Sequence, residues 1–103
     1  MRREVVWTWA AMADMQRAFA LLDELSSDAG IRLLETADSL LELTSVHPFI
    51  ARRWCGAVRR HVLQRTYYGL FYVVEAARIV VIAFQDLRED PDRLRREVLG
   101  RLA

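Results

Sequence analysis

The side chains best suited to chemistry in this chain are arginines, and they are concentrated in its second half. All fifteen basic residues are Arg, and residues 51–103 hold eleven of them against six Asp and Glu, a net charge of +5. Residues 1–50 carry a net charge of −4. Because guanidinium groups make planar, bidentate contacts with phosphate and carboxylate groups, the second half predicts an anionic partner such as nucleic acid or an acidic peptide. An all-arginine composition is also typical of a GC-rich genome.

Six residues are candidates for a binding surface. Arg59 and Arg60 lie in a predicted strand, where neighbouring side chains point to opposite faces, so they cannot serve one site. Surface ion pairs, worth ~0–1 kcal/mol each, explain these two arginines about as well as a function does. Arg88 follows the last predicted strand, where it could simply hold the loop before the last helix. The full set is Trp54, Arg59, Arg60, Arg88, Arg93 and Arg96.

Other kinds of site have little support in the sequence. His47 and His61 are isolated and the four Gly are scattered, so neither a metal nor a cofactor is expected. Cys55 is the only cysteine, which is typical of a reducing cytosol. No uncharged run exceeds nine residues, so no membrane span is expected, and Glu4 interrupts what would be the basic region of a signal peptide. The expected location is the cytoplasm.

The first half predicts one strand and a helical hairpin. Glu4–Trp7 is a β-branched and aromatic run typical of a strand, and Thr8 is a suitable N-cap for a helix to about Leu25. The polar side of this helix is expected to carry Asp14, Arg17 and Glu24. Asp28 is expected to cap a second helix over Ala29–Leu43. Two helices joined by so short a connection predict an antiparallel hairpin.

The second half predicts three strands. Residues 49–56 are expected to form a loop. The strands are predicted over Ala57–Leu63, Leu70–Val74 and Arg78–Phe84. Gly69 and Glu75–Ala77 mark the turns between them, which are short enough to require antiparallel pairing.

A short helix is predicted at the end of the chain. Asp90 followed by Pro91 combines a capping residue with a proline at the first helical position, which is a strong start signal. Its apolar side is expected to carry Leu94, Val98 and Leu102. Three arginines lie off that side, namely Arg93, Arg96 and Arg101.

The resulting order is β-α-α-β-β-β-α in a single domain, residues 1–103. This predicts an α+β fold: a mostly antiparallel four-stranded sheet with the N-terminal helix hairpin on one face, followed by a short C-terminal helix. Val73–Val74 and Ile79–Ile82 are apolar on both faces of the sheet. The face opposite the hairpin therefore needs a further cover, such as a bound partner.

This order of elements resembles the RelE/ParE superfamily of bacterial toxins, each of which is made alongside an antitoxin. The residues that carry the resemblance are Arg59-Arg60, Tyr68-Gly69, Tyr72 and Arg88-Glu89-Asp90-Pro91, and it covers nearly the whole chain. It implies a hetero-oligomer with a cognate antitoxin, whose disordered amphipathic arm would fold across the apolar sheet and meet its basic rim. The cellular target implied is DNA gyrase for a ParE-like toxin and ribosome-bound mRNA for a RelE-like toxin.

The residues favour the ParE-like type. If the chain were a nuclease, Arg60 and Arg88 would match the family's phosphate-binding arginines, and Asp86 could serve as the base. However, Gly69 and Leu94 stand where an Arg and a Tyr are expected, and no aromatic or histidine follows Phe84. The C-terminal segment therefore lacks a group for proton transfer or stacking. Asp86, beside several arginines, should ionise easily and be a weak base.

Three functional hypotheses follow from the resemblance. The first is a ParE-like toxin that inhibits DNA gyrase by binding, with growth inhibition and plasmid stabilisation as its effects in the cell. The second is a RelE-like, ribosome-dependent mRNA endonuclease. The third is an inactive toxin-like protein that still binds an antitoxin.

Overall fold

The computed structural model describes residues 1–102, which form three helices and five strands. In chain order these are β1 (Glu4–Trp7), α1 (Trp9–Leu25), α2 (Ser27–Val46), β2 (Arg53–Cys55), β3 (Val58–Val62), β4 (Tyr68–Val74), β5 (Arg78–Asp86) and α3 (Pro91–Gly100). The predicted α+β class is confirmed. The sheet has five strands where four were predicted, because β2 lies within the segment predicted to be a loop.

The strand order in the sheet is β1-β5-β4-β3-β2. The four strands of the second half follow one another through short turns and pair antiparallel. β1 pairs parallel with β5, from Glu4 beside Arg78 to Trp7 beside Val81. The helix hairpin and the strands β2 to β4 lie between these two strands along the chain and supply the long connection that a parallel pair needs.

A single serine connects the two helices of the hairpin. The backbone N–H of Ser26 donates to Leu22 O at the end of α1, and its hydroxyl accepts from the N–H of Asp28 at 3.3 Å. The prediction that Asp28 caps α2 is therefore wrong: the cap is Ser26, and Asp28 lies in the first turn, where its charge complements the helix dipole. The connection is too short to let the helices separate, and they pack as the predicted hairpin.

A bulge in β5 interrupts the alternation of its side chains between the two faces of the sheet. Val81 of β5 pairs with Tyr72 of β4, and Ala83 pairs with the neighbouring β4 residue, Phe71. Ile82, between them, therefore has no partner in β4. Strict alternation of faces therefore stops at Ile82, and both Ile82 and Ala83 face the side on which α3 lies.

Two apolar clusters result, one on each face. The hairpin-side cluster is built around Met15, Leu33, Leu41, Leu70, Tyr72, Ile79, Val81 and Phe84. The α3-side cluster contains Val58, Phe71, Ile82, Ala83, Leu94 and Val98. The face predicted to need a partner is thus covered in part by the chain's own α3, while Val73 and Val80 stay half-buried.

The turn between β3 and β4 differs from the prediction. Gly69 lies within β4, paired with Val62, and a Cβ at this position would meet the Leu87 side chain at 2.8 Å. The turn is made by the residues before it, among which Arg65 has a φ of 63°. Gly69 therefore serves close packing, and an arginine takes the left-handed backbone conformation.

Candidate interaction surface

Trp54 and Arg60 lie together on the α3 side of the sheet. The Trp54 ring packs edge-to-face on Phe71, with 4.8 Å between ring centroids, and both Trp54 and Arg60 are half-buried. Arg60 is paired with Phe71 in the sheet register. Among residues 1–102 its guanidinium has no carboxylate within ion-pair distance. This pair offers an aromatic ring and a free cation to a partner.

Arg59 faces the opposite side of the sheet, as the alternation of strand residues predicted. Its Nη1 donates to Ala51 O at 2.8 Å and to Phe49 O at 3.4 Å. Its guanidinium also lies over the exposed Phe49 ring, 4.9 Å from the centroid. Arg59 therefore holds the loop before β2 in place, and much of its binding capacity is used within the chain.

Arg88 is paired with Asp86. Its Nε and Nη2 donate to the two carboxylate oxygens at 3.1 and 2.8 Å, and its backbone N–H donates to Asp86 Oδ1 at 2.9 Å. The guanidinium lies over the Tyr67 ring at 4.1 Å. These hydrogen bonds lower the pKa of Asp86, so it stays ionised and is a weak base.

The arginines of α3 are exposed. Asp90 caps the helix as predicted, its carboxylate accepting from the Arg93 N–H at 3.2 Å, and Pro91 is the first helical residue. Leu94 and Val98 are buried against the sheet, also as predicted. Because the helix places them on the inner side, Arg93 lies at its flank and Arg96 points outward. Both side chains are available to a partner.

The structure does not bring Arg60 and Arg88 together. Arg60 lies on the α3 side, in the row of the sheet that holds Phe71 and Ala83. Arg88 lies beyond the end of β5 and lines a cleft with residues of the hairpin. β5 ends at Asp86, three residues or about 10 Å beyond Ala83, and Arg88 follows two residues later. The two side chains lie toward opposite faces of the sheet.

A buried charge cluster escaped the sequence analysis. Asp14, predicted to lie on the polar side of α1, is 3% exposed and accepts five hydrogen bonds. Arg101 donates two of them, from Nη1 at 2.6 Å and Nη2 at 3.1 Å. The others come from Arg17 at 2.6 Å, and from the Phe84 N–H and Gln85 Nε2 at 2.9 Å each. This cluster ties the end of α3 to α1 across the rim of the sheet.

His61 is a half-buried histidine with a hydrogen-bond partner, on the hairpin side of β3. Thr44 donates its only hydroxyl proton to Leu40 O at 2.6 Å, so its Oγ1 accepts from His61 Nε2–H at 2.8 Å. This geometry places a proton on Nε2. The ring stacks on Tyr72 at 5.5 Å, and burial lowers the pKa of His61.

Neither a metal site nor a membrane span is found in the part of the chain that the structure describes. Within residues 1–102, no three His, Cys, Asp or Glu side chains cluster in a way that could hold a metal ion. None of the helices there is both long enough and apolar enough to cross a membrane.

Comparison with known proteins supports the fold. No model of a known protein family matches the sequence, and no curated protein matches it either. Among solved structures, the chain is similar to a chain of the chromosomal ParDE TA system from P. aeruginosa, with a TM-score of 0.71 and 14% identity. The match covers 84% of this chain and 97% of that chain. The fold expected from the resemblance to the RelE/ParE superfamily is therefore confirmed.

Proposed function

We propose that this protein is the toxin of a type II toxin–antitoxin module, a cytoplasmic, ParE-like inhibitor of DNA gyrase that acts by binding and is neutralised by a cognate antitoxin. The observation that carries the proposal is the fold, which it shares with a chain of a ParDE system over 97% of that chain's length. The arginine-rich surface on the α3 side supplies the charge that an anionic partner requires.

The geometry favours inhibition by binding over RNA cleavage. Cleavage through a 2′-hydroxyl needs a base and an acid close to the cations that hold the phosphate. Arg60 and Arg88 lie on opposite sides of the sheet, and Asp86 is ionised and held by Nε and Nη2 of Arg88. Binding to a protein target requires only an exposed, complementary surface.

We assign the target-binding surface to the α3 side. Trp54 and Arg60 on the sheet, with Arg93 and Arg96 on the helix, present an aromatic ring and three cations there. None of the three cations has a carboxylate at ion-pair distance within residues 1–102. Aromatic and arginine side chains dominate the energetics of protein interfaces. Arg59 and Arg88 remain candidates but contribute less in this proposal, because both already make contacts within the chain.

The antitoxin arm would cover apolar surface that the chain leaves open. On the α3 side, Val73 and Val80 are only half-buried. On the hairpin side, Trp9 is 85% exposed next to a groove of about 560 Å³ between the helices and β1, lined by residues that include Met12 and Leu34. Exposed apolar surface beside charged residues is typical of a site that folds a disordered, amphipathic segment.

Controlled expression tests this function. Induction should arrest growth, purified protein should block supercoiling by gyrase in vitro, and co-expression of the small protein encoded beside it should restore growth. A triple variant, Arg60→Gln with Arg93→Gln and Arg96→Gln, should weaken gyrase inhibition at least tenfold. Arg78→Gln is the matched control, because Arg78 pairs with Glu75 at 2.6 Å at the other end of β5.

Two results would contradict the proposal. One is normal growth with normal supercoiling at full expression of a folded protein. The other is growth arrest with intact supercoiling and cellular messages cut at defined codon positions, lost in Arg88→Ala. That second result would establish the RelE-like activity instead.

A further inference from the structure

A second cleft lies on the hairpin side, away from the surface assigned above. It has a volume of about 450 Å³ and opens between the tip of the helix hairpin and the turn that joins β3 to β4. Its apolar lining comes from Leu22, Leu25, Ala29 and Leu33. Two tyrosines, Tyr67 and Tyr68, form part of its wall. The volume falls within the roughly 300–1,000 Å³ typical of small-molecule sites.

The charged side chains that line this cleft are arginines. They are Arg32 from α2, Arg65 from the turn and Arg88 beyond β5, and no Asp or Glu of residues 1–102 is part of the lining. Arg88 is fixed by Asp86 with its guanidinium over Tyr67. Within residues 1–102, Arg32 and Arg65 have no carboxylate at ion-pair distance. Two cations are therefore free to bind an anion beside an orientated guanidinium–tyrosine stack.

The backbone of the turn supports a role for the Arg65 side chain. Arg65 has a φ of 63°, a conformation that costs energy for any residue with a Cβ. The turn is held by the Thr66 hydroxyl, which donates to Leu63 O at 2.9 Å and accepts from the Tyr68 N–H at 3.0 Å. A glycine would fit this position without strain. Backbone strain of this kind is enriched at functional sites.

We propose that this cleft binds a phosphorylated nucleoside. The phosphate is held by Arg32 and Arg65, and the base stacks on the tyrosine wall beside the Arg88 guanidinium, both of which are common platforms for nucleobases. The apolar floor excludes water from the base. The same chemistry is offered by a free nucleotide and by the 5′-phosphorylated end of a nucleic-acid strand. The cleft shares Arg88 with the candidate residues named above, but Trp54, Arg60 and α3 do not line it, so this proposal does not rest on the proposed toxin function.

Titration of the full-length protein with matched probes tests this site. The probes are AMP, GMP, adenosine, inorganic phosphate and a 5′-phosphorylated decanucleotide, with binding followed by calorimetry and by NMR of the tyrosine ring signals. At least one mononucleotide should bind tenfold more tightly than adenosine and tenfold more tightly than phosphate. Stronger binding of the decanucleotide than of either mononucleotide would identify the strand end as the ligand. The reverse order would identify the free nucleotide.

Single substitutions distinguish binding in this cleft from a general attraction of anions to the positively charged protein. Arg32→Gln and Arg65→Gly should each weaken mononucleotide binding about tenfold, the loss expected for a charge-assisted hydrogen bond. Arg65→Gly should leave the unfolding temperature nearly unchanged, because glycine accepts the turn conformation. Arg95→Gln on exposed α3 is the matched control and should bind like the original protein. Equal affinity for AMP, GMP and adenosine, or wild-type binding by both cleft variants, would overturn the proposal.

Discussion

Replacing Arg101 by methionine is expected to cost far more stability than the same change at Arg17, although both arginines bind the same carboxylate. Asp14 lies at 2.6 Å from each of them. The side chain of Arg101 is 15% exposed, whereas that of Arg17 is 67% exposed. Arg101 also donates to Ile82 O at 2.9 Å. The comparison therefore contrasts a buried arginine that makes two bonds to Asp14 with an exposed arginine that makes one bond to the same carboxylate.

The expected losses in the free energy of unfolding follow from the burial and the hydrogen bonds of the two arginines. Breaking a buried ion pair by removing one partner costs about 3–5 kcal/mol, because the other charge stays buried without compensation. Asp14 would keep its bonds from Arg17, Phe84 and Gln85, so Arg101→Met is expected near the lower limit, about 3 kcal/mol. Arg17→Met removes a solvent-screened contact worth about 1 kcal/mol or less. In a chain of this size, 3 kcal/mol corresponds to a drop in Tm of roughly 12–24 °C.

Urea unfolding followed by circular dichroism measures both costs, and a double-mutant cycle with Asp14→Asn measures the coupling. The Asp14–Arg101 coupling should exceed the Asp14–Arg17 coupling by at least about 1 kcal/mol. The reasoning would be refuted if Arg101→Met and Arg17→Met differed by less than this amount. Methionine retains most of the hydrocarbon stem at both positions, so the contrast does not depend on lost packing.

Three further predictions concern the packing, titration and capping of the fold. Gly30→Ala should destabilise the protein by about 1–3 kcal/mol, because a Cβ at this position would lie 2.9 Å from the Phe19 ring. This cost should outweigh the better helix propensity of alanine. Thermal unfolding checks the prediction, and a stabilised variant would contradict it. Burial lowers the pKa of His61, so the unfolded chain binds more protons than the folded one below about pH 6.5, and the free energy of unfolding should fall as the pH drops through that region. The fall should be smaller in His61→Gln, and an identical pH profile for this variant would exclude His61 as the cause. Asp90→Ala removes the acceptor for the Arg93 N–H and should cost about 1 kcal/mol in urea unfolding, whereas Asp90→Asn should cost much less.

Elements with local signals were predictable from the sequence. Thr8 caps α1 through a 3.1 Å bond from the Ala11 N–H, and Asp90 with Pro91 starts α3, because these interactions lie within four residues of the chain. β2 was missed because three residues are too few to show the alternation of a strand. It exists through pairing with β3, including Arg53 beside Arg59. Gly69 was misread for a related reason, since the strand register and not the nearest glycine determines where the turn falls.

The position of Asp14 in α1 indicated that it is buried, whereas its charge suggested an exposed position. Ala11, Met15 and Ala18 form the buried stripe of α1, and Asp14 lies three positions after the first and four before the last. Helical spacing alone therefore places Asp14 on the inner side. The buried charge of Asp14 is compensated by Arg101. Because Arg101 lies 87 residues away in sequence, the sequence did not reveal this partner.

The sequence distinguished only in part between candidate arginines that are free to bind a partner and those that make contacts within the chain. Alternation along β3 correctly placed Arg59 and Arg60 on opposite faces. The sequence did not show that Arg59 donates to the carbonyls of Phe49 and Ala51, because every residue has a backbone carbonyl and residue type does not indicate which one is bound. The pairing of Arg88 with Asp86 is local, and the expectation that Arg88 could hold the loop before α3 agrees with it.

The early end of β1 has a consequence for assembly. β1 pairs with β5 only as far as Val81, and beyond that point the Asp14 carboxylate accepts from the Phe84 N–H while Arg101 donates to Ile82 O. Side chains thus occupy the positions where a foreign strand would dock, so this margin cannot seed fibril growth or accept an invading peptide. Any β-augmentation by another polypeptide is confined to the outer margins of β1 and β2, at opposite ends of the sheet.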